Sequence, residues 1–127
     1  MIQIYKALHQ AGAPVRMATH GGVHEALIQA EGIPYDIVGP RMNEARGRKF
    51  IQDNVGIGDP RQSMYSPEEM ATYVGAEVAY FREHRVTSVV IGFTLTTLIS
   101  TRVASVPLIA QHAGAFIPPL FERGMLP

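Results

Sequence analysis

Two apolar runs, at residues 88–93 and 106–110, flank a segment of helical spacing, and together they narrow the possible folds sharply. Val89, Val90 and Ile91 are β-branched and uninterrupted, as expected of a strand covered on both faces. The segment that follows sets Leu95, Leu98, Ile99, Arg102 and Val103 on one side, with Thr94 placed to cap its first turn. Pro107 ends that helix and starts the second short strand. Strand, helix and strand in so short a span make a right-handed βαβ unit of a parallel sheet. Ligands bind such sheets at the carboxyl ends of the strands, which directs attention to residues 92–97 and 111–116.

The rest of the chain alternates in the same way. Residues 1–11 read as a helix with Ile4, Ala7, Leu8 and Ala11 on one stripe and Gly12 as its stop. A competing reading makes residues 1–5 a strand, because MIQIY alternates apolar and polar; the stripe running beyond Tyr5 favours the helix. A strand at 14–19 meets the turn His20-Gly21-Gly22, and a helix over 23–31 follows, its stripe Val23, Ala26, Leu27 and Ala30. A strand at 35–38 ends in Gly39-Pro40, and Arg46, Arg48 and Lys49 then mark a solvent-facing helix. Residues 54–65, rich in Gly, Pro and polar side chains, read as a long loop. Ser66, Pro67 and Glu69 form a capping box that opens a helix with Met70, Tyr73, Val74, Glu77, Val78 and Phe81 on its inner stripe. Residues 115–127 carry two prolines and no period, and read as a loop or the start of a linker. The order α-β-α-β-α-α-β-α-β specifies one α/β domain with a parallel, doubly wound sheet and helices on both faces.

The totals exclude several classes. Eleven basic and eleven acidic residues cancel, which speaks against nucleic acid and against an anionic membrane surface. The absence of cysteine removes disulfides and thiolate metal sites, and no apolar run is long enough for a membrane span. The N-terminus lacks the layout of a signal peptide, so the expectation is a cytoplasmic domain.

The phrases IYKALHQAGAPVRMATHGGVHEALIQAEGIPYDIVG (4–39) and VVIGFTLTTLISTRVASVPLIAQHAGAFIPP (89–119) resemble the N-terminal domain of GT-B glycosyltransferases, in particular UDP-glycosyltransferase-like enzymes. The resemblance implies a Rossmann-like domain that holds a small hydroxylated acceptor. A second domain would bind the nucleotide-sugar, and transfer would occur between the two without a bound metal. It implies two departures as well. The family's first strand, with the Gly-His loop that often supplies the base, would lie upstream of Met1, and the Asp that orients that histidine is replaced by Gly92. The chain alone is therefore expected to be inactive, with no cofactor of its own, since the donor would need a C-terminal domain. A missing central strand also leaves the strands near Val15 and Val89 to pair with each other or expose their edges. An altered sheet, or self-association that covers the gap, follows from that. The alternative reading is a stand-alone Rossmann-like binding or interaction module without catalysis.

The candidate acceptor-binding residues are Thr19, His20, Gly21, Thr94, Thr96 and His112. Free amides at the Gly21-Gly22 turn favour an anion or a polar acceptor, although a tight turn with an exposed histidine accounts for the same residues. Thr94, Thr96 and Thr97 offer hydroxyls at a helix N-terminus, and capping alone explains the first. His112, beside Ala113-Gly114 at the carboxyl edge, is the best lone candidate for acid/base work or acceptor contact, with a buried, hydrogen-bonded histidine as the competing reading; a small α/β enzyme unrelated to sugar transfer would use His112 or His20. His20 and His24 are separated by Gly-Gly and have no third ligand nearby, so no metal site is expected.

Overall fold

The computed structural model describes residues 1–54, 64–92 and 94–111. The elements are α1 (Ile2–Gln10), β1 (Met17–Thr19), α2 (Glu25–Ala30), β2 (Tyr35–Ile37), α3 (Glu44–Asn54), α4 (Pro67–Glu83), β3 (Val89–Ile91), α5 (Leu95–Ala104) and β4 (Leu108–Ala110). This is the α/β alternation that the sequence specifies, with residues 2–5 helical rather than extended. The single doubly wound sheet is not formed among the described residues. β1 pairs in parallel with β2 and β3 with β4, in two separate two-stranded sheets. Among the described residues the strands near Val15 and Val89 do not pair with each other: β1 has β2 as its strand neighbour and β3 has β4.

Three helices turn a different face inward from the one their apolar spacing suggests. In α1 the buried residue is Tyr5, packed with Ile28 and Ile33 and flanked by Ile2, Val15, Met17 and Tyr35, whereas Leu8 of the expected stripe is exposed. In α2 Glu25 and Ile28 are buried while Leu27 stands 59% exposed, and Val23, just before the helix, is 72% exposed. The Glu25 carboxylate explains that rotation. It accepts from the Gly22 amide (3.0 Å), the Tyr35 hydroxyl (3.0 Å) and Arg41 (2.8 Å), which anchors this side of the helix against the turn before it. The reversal is fullest in α5, where Thr96, Thr97, Ser100 and Thr101 are buried and Leu98, Ile99 and Val103 are exposed.

Helix α4 follows its sequence closely. The Ser66 hydroxyl accepts from the Glu69 amide (3.1 Å) and the Glu69 carboxylate accepts from the Ser66 amide (2.9 Å), completing the capping box. Its buried residues Tyr73, Glu77, Val78 and Phe81 all belong to the expected inner stripe. Thr94 does occupy the N-cap of α5, but its side chain makes no capping bond.

Candidate functional site

The turn after β1 decides where His20 points. Gly21 and Gly22 have φ of +89° and +96°, a backbone region that disfavours any side chain. A Cβ on Gly21 would also lie 2.9 Å from a Glu25 carboxylate oxygen, so the chain can fold back this tightly only with glycine there. The Thr19 hydroxyl accepts from the Gly21 amide (3.1 Å), while Glu25 accepts from Gly22. The amides that could have received an anion are therefore already bonded to the chain's own oxygens. The chain leaves this turn with the His20 ring directed inward, its side chain only 14% exposed.

Inside, three strand ends converge. His20 follows β1, Val38 follows β2, and Thr96 lies in the first turn of the helix that follows β3. His20 Nδ1 is 2.8 Å from the Val38 carbonyl oxygen, Nε2 is 3.0 Å from Glu77 Oε1, and Thr96 Oγ1 lies 3.4 Å from Nε2. The Tyr73 ring packs edge-on against the imidazole, 4.5 Å between centroids. Glu77 comes from α4 and is the centre of the cluster. The Thr96 and Thr97 hydroxyls donate to its Oε1 at 2.8 and 2.9 Å, and the Ser100 hydroxyl donates to Oε2 at 2.5 Å. A buried carboxylate needs donors in place of water. That need explains why α5 turns its hydroxyls inward and its leucine and valine outward.

The charges follow from these contacts. Burial pushes the Glu77 carboxyl up, but the hydrogen bonds from His20, Ser100, Thr96 and Thr97 outweigh it and hold the group below its ordinary value of 4.5. Burial likewise pushes His20 down, yet its bonds to Glu77 and to the Val38 carbonyl outweigh that and raise it above 6.5. Below that raised value the cluster is an imidazolium facing a carboxylate, ringed by hydroxyls.

Of the residues singled out in the sequence, the structure brings His20 and Thr96 together on one carboxylate, and Thr19 and Gly21 build the turn beside them. Thr94 is half-buried at the N-cap and makes no bond to the cluster. His112 lies outside the described residues. Sequence reasoning gave no site role to Glu77 or Ser100. The signal for the first was a carboxylate on an otherwise apolar helical stripe, and for the second the spacing of hydroxyls at 96, 97, 100 and 101.

In this arrangement both ring nitrogens of His20 and both oxygens of Glu77 are engaged, so neither is a free base or nucleophile. Among the described residues no three His, Cys, Asp or Glu side chains gather as metal ligands. No helix of the described residues is long and apolar enough to cross a membrane. A hollow of about 500 Å³ opens near Leu98, Arg102 and Pro107, and neither His20 nor Thr96 lines it. Comparison with protein-family models, with curated proteins and with solved structures finds no match to the chain.

Proposed function

We propose that this chain is the acceptor-binding half of a glycosyltransferase, taking a small hydroxylated molecule at the carboxyl ends of its strands. The observation that carries this reading is the convergence of the β1, β2 and β3 ends and the start of α5 on one polar cluster around His20. That is where α/β proteins receive ligands. In the complete reaction the acceptor hydroxyl oxygen bonds to the anomeric carbon of the sugar. The nucleoside diphosphate leaves, and the hydroxyl proton passes to a base. A second domain would supply the donor. On this reading the chain alone performs no transfer: the donor domain is not part of it, and among the described residues the histidine at the strand ends is committed to Glu77.

The finer fold that goes with this reading is a Rossmann-like, doubly wound arrangement of the two strand pairs. A methyl group on Gly92 would lie 3.9 Å from Met1 Cγ, so α1 begins beside the carboxyl end of β3. A reducing cytoplasm suits the cysteine-free composition.

The engaged state of His20 and Glu77 favours a second reading, a binding or interaction module without chemistry. The edges of β1 and β3 that have no strand neighbour among the described residues would then be covered by self-association. One experiment addresses both readings. Backbone amide NMR is recorded while the chain is titrated with a panel of small phenols and alcohols, then with UDP-glucose. The transferase reading expects shifts at Thr19, Gly21 and Thr94–Thr97 with a hydroxylated compound and none with UDP-glucose. No response to the whole panel, together with a concentration-dependent dimer in light scattering, would replace it with the second reading.

A further inference from the structure

His20 carries a consequence that does not depend on sugar transfer. A neutral imidazole has one N–H, and an imidazolium has two. Both ring nitrogens of His20 face acceptors: the Val38 carbonyl at 2.8 Å and a Glu77 carboxylate oxygen at 3.0 Å. Only the charged ring satisfies both. If the proton on Nε2 leaves, a bare lone pair opposes a carboxylate oxygen in a place that is almost closed to water, with side-chain exposures of 14% and 6%. The nearest relief is the Thr96 hydroxyl, 3.4 Å from Nε2, but its hydrogen already serves Glu77 at 2.8 Å.

These contacts are also mechanical. The His20 backbone continues β1 and its carbonyl accepts from the Met42 amide at 2.7 Å, so the residue is rooted in the first half of the chain. Its ring reaches Glu77 of α4 and, through that carboxylate, three hydroxyls of α5. We propose that His20 is a proton-operated latch: charged, it fastens the end of β1 to α4 and α5, and neutral, it lets the carboxyl end between them open. The opening would uncover the Thr96 and Thr97 hydroxyls where a ligand would approach.

The surroundings leave few rival groups. From α4 the titratable neighbours are Glu77 and Tyr73, whose phenol burial pushes above its ordinary value and so keeps neutral. From β2 comes only a carbonyl, and from α5 only hydroxyls. Behind the glycine turn, Glu25 and Arg41 are paired with each other. Among the described residues His20 is thus the group of this cluster that changes charge near neutral pH.

The test uses the unmodified chain without any ligand. Ring NMR follows the His20 protonation while amide hydrogen exchange, corrected for the intrinsic pH dependence of the chemistry, is read at Gly21, Gly22 and residues 96–100. The latch expects a His20 midpoint above 6.5. It also expects exchange at those amides to rise as pH climbs through that midpoint, since the charged ring favours the closed state and the neutral ring does not. Amides of α1 should stay flat over the same range. A His20→Gln variant should exchange at the open rate at every pH. Should that variant fail to fold, Glu77→Gln provides the control, with the midpoint and the exchange step both shifted to lower pH. A wild-type midpoint at or below 6.5, or exchange that ignores it, would overturn the latch. Neither outcome bears on the acceptor titration, so the two proposals fail separately.

Discussion

Helix α4 is joined to the first strand pair twice, and the two junctions are made differently. Toward the amino end, Asp36 of β2 accepts from the Tyr80 hydroxyl (2.6 Å) and from Arg16 Nη2 (2.9 Å), with the Arg16 and Asp36 side chains 53% and 38% exposed. At the carboxyl end, Glu77 and His20 meet at 3.0 Å with almost no exposure. Each junction sets a cation against a carboxylate and adds hydroxyls. In the first, water replaces whatever a substitution removes, so little is lost. In the second, removing one partner strands the other, because water cannot follow. Burial, more than the number of bonds, separates a surface contact from a fastening. The fastening stands where the strand ends converge.

The strongest way to break this contrast is Glu77→Ala. It leaves His20 without its counter-charge and three hydroxyls without their acceptor, and should cost about 3–5 kcal/mol in denaturant unfolding. A loss no larger than that of Arg16→Ala would erase the distinction.

Stability as a function of pH sharpens it next. His20 is raised in the fold, so its contribution is complete below 6.5 and is lost as pH climbs through the folded value. Glu77 is depressed, so its contribution is complete above 4.5 and is lost as pH falls through its folded value. Urea midpoints should therefore be highest between about 4.5 and 6.5 and fall on both sides. Asp36 is held low by the Tyr80 hydroxyl above all, with Arg16 assisting, and adds only to the acid side. The decline through neutral pH belongs to His20, and His20→Gln should flatten it.

Smaller effects follow. Ser100→Ala deletes one donor to a buried carboxylate and should cost about 2 kcal/mol. Tyr80→Phe deletes the corresponding donor at the exposed junction and should cost about 1 kcal/mol or less. Arg16→Ala should be the mildest change, and whatever effect it has should fade with added salt, which the Glu77 variant should not share.

The elements themselves were legible because their signals are local. Ser66, Pro67 and Glu69 announce the start of α4, Gly12 and Gly32 stop helices with positive φ, and the β-branched run at 89–91 stands out as a strand. The faces of α2 and α5 were not legible in the same way. Apolar spacing pointed to Leu27, Leu98 and Val103 as interior, yet carboxylates outweighed it. In α5 the controlling residue, Glu77, sits about 20 positions away in the chain, so spacing within α5 carried no trace of it. Strand pairing is non-local too. Periodicity gave the strands, but whether β1 and β3 join depends on what lies between them, and no spacing within either strand encodes that. His20 and Thr96 were found because a histidine at a glycine turn and a hydroxyl at a helix start are visible alone; their meeting on Glu77 was not.

The most direct test of the fastening is a pair of double-mutant cycles measured side by side near pH 6. One combines His20→Gln with Glu77→Gln, and the other combines Arg16→Gln with Asp36→Asn. The buried pair should couple by more than about 2 kcal/mol, while the exposed pair should show coupling within experimental scatter. Equal coupling in the two cycles, or stronger coupling in the exposed one, would contradict the claim that the carboxyl end is where this fold is held closed.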